Sequence, residues 1–155
     1  MIDMMENGTE LDGQIPVHGE FDLVHIRGGR VMSQETVKNL ILNVGKETIA
    51  KLVAGLHPNP VSYIQIGQGD NAPAVTDTHL YTFYSEGLAA ASYAEGYKAV
   101  FSHTFQFAEN ATICEAGLAD GVVAGTPKMF SRQTFAGRDV IPDDLLQITW
   151  RLTFG

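Results

Sequence analysis

Residues 146–154 read LQITWRLTF and decide the fold. Large apolar side chains fall on every second position, and polar residues occupy the positions between them. This period of two is typical of a β-strand with one face in a core and the other face toward solvent. We therefore predict a strand here, with Trp150 as a core or interface anchor whose indole N–H is hydrogen-bonded.

Shorter runs of the same kind predict the other strands. Glycine-rich stretches, such as residues 27–30 (RGGR) and residues 67–73, punctuate them as turns. Residues 80–97 combine aromatic residues with an alanine run, and we interpret them as two strand ends around a mobile loop. The predicted strands are residues 21–26, 61–66, 98–107, 111–115 and 128–135.

One helix is predicted at residues 33–55. Apolar residues recur there at spacings of three and four, as on one face of a helix. Ser33 is a good N-cap, Gly55 is a natural C-cap, and two prolines follow within five residues of it. Gly45 inside the helix should cost about 1 kcal/mol relative to alanine, which indicates a kink or a close packing contact.

The order of these elements predicts the fold class. No second helical repeat separates the strands, so the crossovers that parallel strands require are missing. We predict a mainly β protein, an antiparallel β-sandwich or partly open barrel with one N-terminal α-helix packed against it. Residues 1–19 are predicted to be a flexible or partner-ordered arm, and residues 20–155 a single domain.

Composition limits the partners. The net charge is −8, and the ten cations form no cluster, so neither nucleic acid nor an anionic membrane is expected to bind. The single cysteine, Cys114, excludes an intramolecular disulfide framework and a cysteine-rich zinc site. The chain has neither a long apolar span nor a signal-peptide pattern, so we expect synthesis in the cytoplasm.

The chemical motifs favour no enzyme, cofactor or metal. The Gly-x-Gly of residues 67–69 lacks the third glycine and following helix of a dinucleotide site. The histidines lack zinc spacing, and Cys114 lies beside Glu115, whose charge should raise its thiol pKa. The position of His103 on an apolar strand face indicates a half-buried, hydrogen-bonded histidine rather than a pH-sensing site at a subunit boundary. Turn positions account for Asp70, Asn71 and Asp77, which could otherwise bind calcium, and for Asp139, Asp143 and Asp144, which could otherwise form an acid/base pair.

Four motifs in order resemble a known group. These are YIQIGQG at residues 63–69 with Ala72-Pro73 and DTHL at 77–80, ICEAGL at 113–118, an Arg132-x-x-Phe135 strand, and the terminal L-x-I-x-W-x-L. Together they resemble small virion structural proteins of tailed bacteriophages, from the neck, tail or fibre region. The resemblance covers residues 33–154, and the first 19 residues have no counterpart in it.

The resemblance implies a non-catalytic virion protein that assembles as a homo-oligomer with other virion proteins. The alternatives are a capsid decoration protein and a carbohydrate-binding adhesion module, the latter using Tyr81, Tyr84, Tyr93 and Tyr97. The residues it marks as a structural motif are Gly67, Gly69, Pro73, Asp77, Glu115, Gly117, Leu118, Arg132 and Trp150.

Physical reasoning gives several of these residues a task. Gly67 and Gly69 are expected to let the chain reverse after its strand, and Gly117 to release the chain at a corner. Asp77 with Thr78 is expected to cap the following turn. Glu115 shares a strand face with apolar residues, so we predict a hydrogen bond or ion pair with Arg132 or Arg151.

Overall fold

A computed structural model of the chain describes residues 13–56 and 59–155. Nine antiparallel strands form one nearly closed sheet, intermediate between a sandwich and a barrel, with one α-helix. The fold class is therefore as predicted. The elements are β1 (Val17–Arg27), β2 (Arg30–Ile41), α1 (Asn43–Val53), β3 (Tyr63–Gly67), β4 (Phe83–Leu88), β5 (Ala90–Ala94), β6 (Lys98–Gln106), β7 (Ala111–Ala119), β8 (Met129–Val140) and β9 (Leu145–Phe154).

The strand order is β4-β3-β7-β8-β2-β1-β9-β6-β5, and the sheet folds over at two corners. At one corner β2 leaves β1 and pairs with β8 only through Leu40 and Ile41. At the other corner a single residue, Ala89, joins β4 to β5. Strands that pass between layers in this way are how sheet corners are built. The two layers are therefore β2-β1-β9-β6-β5 and β4-β3-β7-β8.

The core lies between the two layers and follows the predicted alternation of β9. Leu146, Ile148, Trp150 and Leu152 are all buried. The ring of Trp150 lies 4.5 Å from that of Phe21 on the neighbouring strand β1. Trp150 is thus the core anchor that the sequence predicts. Its indole N–H, however, has no hydrogen-bond partner among the described residues, so that part of the prediction is wrong.

The predicted helix begins ten residues too early. Residues 33–41 belong to β2, which forms a hairpin with β1, and Ser33 pairs with His25 instead of capping a helix. The turn holds Gly28 and Gly29, both with positive φ, as a tight type I′ hairpin requires. The helix end is confirmed, since Gly55 follows α1 with a φ of +72°.

Gly45 marks a close contact, one of the two alternatives that its sequence position indicated. A Cβ at this position would collide with the carbonyl oxygen of Phe130, so α1 lies directly on the backbone of β8.

Two further boundaries differ from the sequence predictions. Residues 17–19 of the predicted arm are part of β1, where Gly19 pairs with Asn39 and Leu152; residues 1–12 lie outside the described part of the chain. Residues 80–97 contain no long loop between strands, because Ala89 is the whole β4–β5 connection and its N–H binds Ser62 O. Each predicted strand overlaps an observed one, and β7 and β8 run longer than predicted.

Candidate functional site

The motif residues meet on the outer face of the β3-β7-β8 layer. Residues 68–82 leave β3 and cross this face before β4 begins. Beneath them lie Glu115 of β7 and Arg132 of β8, both with no exposed surface. Gly67 pairs with Glu115 and Gly117 pairs with Arg132, so the four residues share one face of the sheet. We call Glu115, Arg132 and Asp77 the buried charge cluster.

Glu115 ties the crossing segment to the sheet through both carboxylate oxygens. Oε2 accepts from the backbone N–H groups of Gly69 and Thr82, each at 2.8 Å. Oε1 accepts from the backbone N–H of Tyr81 at 3.0 Å and from Arg132 Nε at 3.0 Å. The predicted partnership of Glu115 with Arg132, one of the two arginines considered, is confirmed. The expectation that Glu115 shares a strand face with the apolar Ile113 is wrong, because a register shift between the two residues turns Glu115 to the outer face. The carboxylate is fully engaged, which is how a buried charge becomes tolerable.

Arg132 holds the same segment at its other end. Nη1 donates to Asp77 Oδ2 and Nη2 donates to the carbonyl oxygen of Asn71, both at 3.0 Å. The ring of Tyr81 covers the guanidinium, with 4.4 Å between Cζ and the ring centroid. Such a cation–π contact contributes about 0.5–2 kcal/mol, more as the cation is desolvated. The guanidinium therefore contacts the crossing segment at three residues, Asn71, Asp77 and Tyr81.

Asp77 closes the turn before it rather than the turn after it. Its Oδ2 accepts from the backbone N–H of Ala74 at 3.0 Å, as well as from Arg132. Its own N–H donates to the carbonyl oxygen of Ala74. The prediction that Asp77 and Thr78 cap the following turn is therefore wrong, although Asp77 does hold a turn.

The motif positions require glycine because a side chain has no room there, and not because the backbone has a positive φ. None of Gly67, Gly69 and Gly117 has a positive φ. A Cβ on Gly67 would lie 2.6 Å from Glu115 Oε2, and one on Gly69 would lie 2.7 Å from the same oxygen. A Cβ on Gly117 would lie 2.6 Å from the Cε of Met129. Chain reversal and corner release are thus the wrong explanation, because these glycines let the loop approach the sheet closely.

The remaining motif residues lie around the cluster without touching its charges. Leu118 is fully buried between the two layers, and Pro73 is half-buried in the crossing segment. Trp150 lies in the other layer and belongs to the core. Arg151, the alternative partner for Glu115, instead binds Glu20 and Asp22 across β1.

A second buried cluster was missed from the sequence. Asp144, in the β8–β9 turn, accepts from Arg27 Nε and Nη2 at 2.9 Å each and from the N–H of Ile141 at 3.0 Å. His25 Nε2 lies 2.8 Å from Asp144 Oδ2. The Arg27 guanidinium first, and the His25 and Ile141 hydrogen bonds after it, hold the pKa of Asp144 far below its usual value. The sequence feature that could have indicated this cluster is His25, a polar residue on the same strand face as the buried Phe21 and Leu23.

The other candidate groups do not come together in the described part of the chain. Burial raises the pKa of the Cys114 thiol, with Asp70, Glu115 and Asp139 adding to the rise, which confirms the predicted direction. No group of three potential metal ligands exists in residues 13–56 and 59–155. His103 is half-buried and packs edge-on to Phe105, with its ring over Gly87.

The tyrosines considered for sugar stacking have different surroundings. Tyr81 covers Arg132, and the Tyr84 hydroxyl donates to Glu109 Oε2 at 3.1 Å. Tyr93 and Tyr97 are 70% and 69% exposed.

An apolar groove of about 580 Å³ opens at one end of the barrel. One wall is α1, and the other is the inner face of β5, β6 and β9. None of its lining residues carries a charge: Ile49, Leu52, Val53, Pro60, Val61, Ala91, Ser92, Tyr93, Ala99, Phe101, Phe130, Leu152 and Phe154. Val53 and Tyr93 are 84% and 70% exposed, so the rim is open.

Comparison of the chain with protein-family models, with curated proteins and with solved structures gave no match. Among the described residues, no helix has the length and apolarity to cross a membrane.

Proposed function

We propose that the chain is a non-catalytic structural protein of a tailed-virus particle, assembling as a homo-oligomer at the neck, tail or fibre attachment region. The observation that carries the proposal is the convergence of motif residues on the buried charge cluster. Gly67, Gly69, Asp77, Glu115 and Arg132 come from three separate stretches of sequence and meet there.

The cluster favours a structural task because its polar atoms are used up within the chain. Each oxygen of Glu115 accepts hydrogen bonds from the protein itself, and Arg132 donates from all three nitrogens. A catalytic carboxylate needs a free oxygen facing a substrate. Residues that fix a loop on a sheet in this way support a structural function for the protein.

The contact surface that we assign to self-association lies at the β1–β2 hairpin. Val31 and Met32 are 60% and 51% exposed, directly after the tight turn. The salt bridge of Arg27 with Asp144 holds the tip of this hairpin against the β8–β9 turn. Exposed apolar side chains on a fixed support favour association, because little flexibility is lost on binding. Self-association of copies through one repeated patch is the usual route to symmetric assemblies.

The oligomer is tested by sedimentation of the full chain up to about 100 µM, a range in which a weak interface becomes occupied. We expect an oligomer for the wild type and a shift toward monomer for Val31→Glu/Met32→Glu. The control is Val122→Glu, another exposed apolar residue, away from the hairpin. A wild type that stays monomeric over this range would refute the homo-oligomer.

The virion assignment is tested by mass spectrometry of purified particles of the virus that encodes the chain. Roughly a dozen copies or fewer are expected for a neck or tail component with closed rotational symmetry. Copies in the hundreds would replace this location with capsid decoration. Absence of the chain from the particles would refute the virion assignment.

A further inference from the structure

Strand β5 (Ala90–Ala94) ends the described sheet on one side. It pairs with β6, and no other described strand pairs with its second edge. Its sequence, AASYA, has neither charge nor proline, and its register with β6 has no bulge. Charges, prolines and bulges normally keep an edge strand from pairing with another chain, since its free N–H and C=O groups attract strands. Among the described residues, β5 is therefore an edge open to a further strand.

Two other strands with an unpaired edge carry charged side chains. On β4, at the opposite end of the sheet, Glu86 accepts a hydrogen bond from the N–H of Val123 at 2.8 Å and so binds a neighbouring loop. On β2, residues 30–39 pair with β1 alone, and Glu35 in this stretch forms a salt bridge with Arg138 of β8. The edge of β5 has no such charge to oppose a second strand.

The residues of β5 suit pairing with the same strand of a second copy. An antiparallel pair with Ser92 opposite Ser92 uses all five residues of both strands and places Tyr93 of each copy opposite Ala91 of the other. A large side chain then faces a small one twice. Identical edges that pair about a two-fold axis are both covered at once, as in other isologous contacts. A second copy is thus a partner that leaves neither edge free.

Neighbouring registers of this pair are less favourable. Since side chains alternate between faces, only a shift that keeps the two inner faces together is allowed. A shift in one direction would require Ala89, which belongs to the β4–β5 corner and whose N–H donates to Ser62 O. A shift in the other direction would place Glu95 opposite Ala91 and the two Tyr93 rings against each other. The central register is therefore preferred.

The distribution of charge favours contact between copies at β5. The net charge of the chain is −8, so copies repel each other wherever two acidic surfaces meet. Residues 87–94 are uncharged, and the nearest carboxylates along the chain are Glu86 and Glu95. In the central register Glu95 of one copy lies next to Ala89 of the other, and not next to a carboxylate.

Exposed apolar side chains lie along β5 and at both of its ends. Tyr93 on the strand, Leu88 before it and Tyr97 after it are 70%, 64% and 69% exposed. In an antiparallel pair the start of one strand meets the end of the other, so Leu88 of each copy would approach Tyr97 of the other. The Tyr93 ring would cover Ala91 at the rim of the apolar groove. Apolar burial would therefore add to the main-chain hydrogen bonds of the pair.

We propose that two copies of the chain pair through β5, antiparallel and centred on Ser92, so that their sheets join into one. The inference rests on the self-association proposed above and is independent of the virion assignment. It adds a contact surface on a different element from the β1–β2 hairpin. The strand β5 is then a covered edge in the assembled protein.

The experiment is disulfide trapping of the full chain with Cys114→Ala and Val31→Glu/Met32→Glu, a background that removes the native thiol and the hairpin contact. Ser92→Cys places two thiols opposite each other, with Cβ atoms about 5 Å apart, which a disulfide can bridge. Ala90→Cys is the matched control, because it is exposed on the same strand face but lies about 14 Å from its copy in the proposed pair. We expect Ser92→Cys to link two copies about tenfold faster than Ala90→Cys. Equal rates would overturn the proposal.

Amide hydrogen exchange of Val31→Glu/Met32→Glu supplies a second reading without new cysteines. Amides within residues 90–94 should exchange about threefold more slowly at about 100 µM than at about 1 µM, since pairing covers them. Ser92→Lys in this background should abolish the difference, because like charges opposite each other prevent pairing, whereas Ser92→Thr should keep it. Exchange that is equally slow at both concentrations would overturn the proposal and assign the cover of β5 to its own chain.

The β5 contact and the earlier proposals can fail separately. If the hairpin substitutions leave the wild-type oligomer intact in sedimentation, the hairpin contact is refuted while trapping at Ser92 is unaffected. If trapping shows no preference for Ser92, the β5 contact is refuted while the sedimentation result stands. A chain absent from virus particles could still pair through β5.

Discussion

Arg132 Nε donates to Glu115 Oε1 at 3.0 Å, and neither side chain has any surface exposed to solvent. The attraction between these charges offsets their desolvation only while both are present and fully hydrogen-bonded. The pair is also the anchor of residues 68–82, since three backbone N–H groups of that segment donate to Glu115. Loss of one charge should therefore loosen the segment as well as the sheet beneath it.

Glu115→Gln tests this arrangement directly. It keeps the volume of the side chain but leaves Arg132 with a buried charge that only Asp77 opposes, and it turns an amide toward backbone donors. We expect the free energy of unfolding to fall by about 3–5 kcal/mol in denaturant titration. Glu20→Gln, which breaks a partly exposed ion pair with Arg151, should cost about 1 kcal/mol or less. Equal losses in the two variants would contradict the anchoring function of Glu115.

Gly67→Ala tests whether the loop must lie against the sheet. The added methyl group would meet Glu115 Oε2 and the carbonyl oxygen of Thr82. We expect thermal or chemical denaturation to show a loss of about 1–3 kcal/mol from overpacking. At Gly125 an added Cβ has no atom within 4 Å, so Gly125→Ala is the matched control and should be neutral or slightly stabilising. Neutral behaviour at both sites would show that the loop can move away from the sheet.

Gly45→Ala should destabilise the protein although alanine favours the helix by about 1 kcal/mol. The reason is the contact of α1 with the backbone at Phe130, which leaves no space for a side chain. The expected net loss is about 1–3 kcal/mol, measured by denaturation followed in the far-ultraviolet circular dichroism. Lys46→Ala, at the next and exposed position, should change stability by less than about 0.5 kcal/mol. A stabilised Gly45→Ala variant would rule out the close contact.

Asp144 should make the folded state sensitive to acid. Hydrogen bonds from Arg27 lower its pKa in the folded chain, so the folded state binds the proton less readily than the unfolded state. Its stabilising effect is complete above the ordinary aspartate pKa of about 4 and is lost as the pH falls below that value. Unfolding free energies measured from neutral pH into this acid range should fall less steeply for Asp144→Asn than for the wild type.

The control for this experiment is Asp143→Asn. Asp143 is exposed in the same turn with a φ of +73°, which asparagine adopts readily. It should follow the wild-type profile. Asp22, whose pKa the Arg151 hydrogen bond lowers, should keep a residual slope in every variant. An Asp144→Asn profile as steep as that of the wild type would mean that other carboxylates govern the acid response.

The sequence predicted the strands best where the alternation runs between core and solvent, as in β9. It also predicted the pairing of Glu115 with Arg132, because a buried carboxylate requires a partner, although the register shift beside Glu115 puts it on the face opposite the one expected. The helix start failed for a physical reason. On β2 the half-buried face carries the polar residues Ser33, Glu35 and Asn39, so the apolar alternation that marks a strand is missing there. Val37 and the apolar residues after it recur instead at the spacing of a helix.

Local pattern could single out His25 but not its partner Asp144. His25 and Asp144 are 119 residues apart, and they meet only through the register of β1 with β9, in which His25 pairs with Leu146. The three motif glycines were recognised, yet their purpose depends on a tertiary distance that no local sequence rule contains. Spacing along the chain shows which residues share a face, and the register of distant strands decides what lies opposite them.

Ala89 has a mechanical consequence. Leu88 pairs with Tyr63 in one layer, and Ala90 pairs with Ser102 in the other. One continuous segment is therefore hydrogen-bonded into both layers. A pull on either layer at this corner reaches the other through covalent bonds, before any side-chain contact has to resist it. Sliding of the layers past each other would require the ladders on both sides of Ala89 to unzip together. Ala89 therefore fixes the two layers to each other at this corner through the backbone itself.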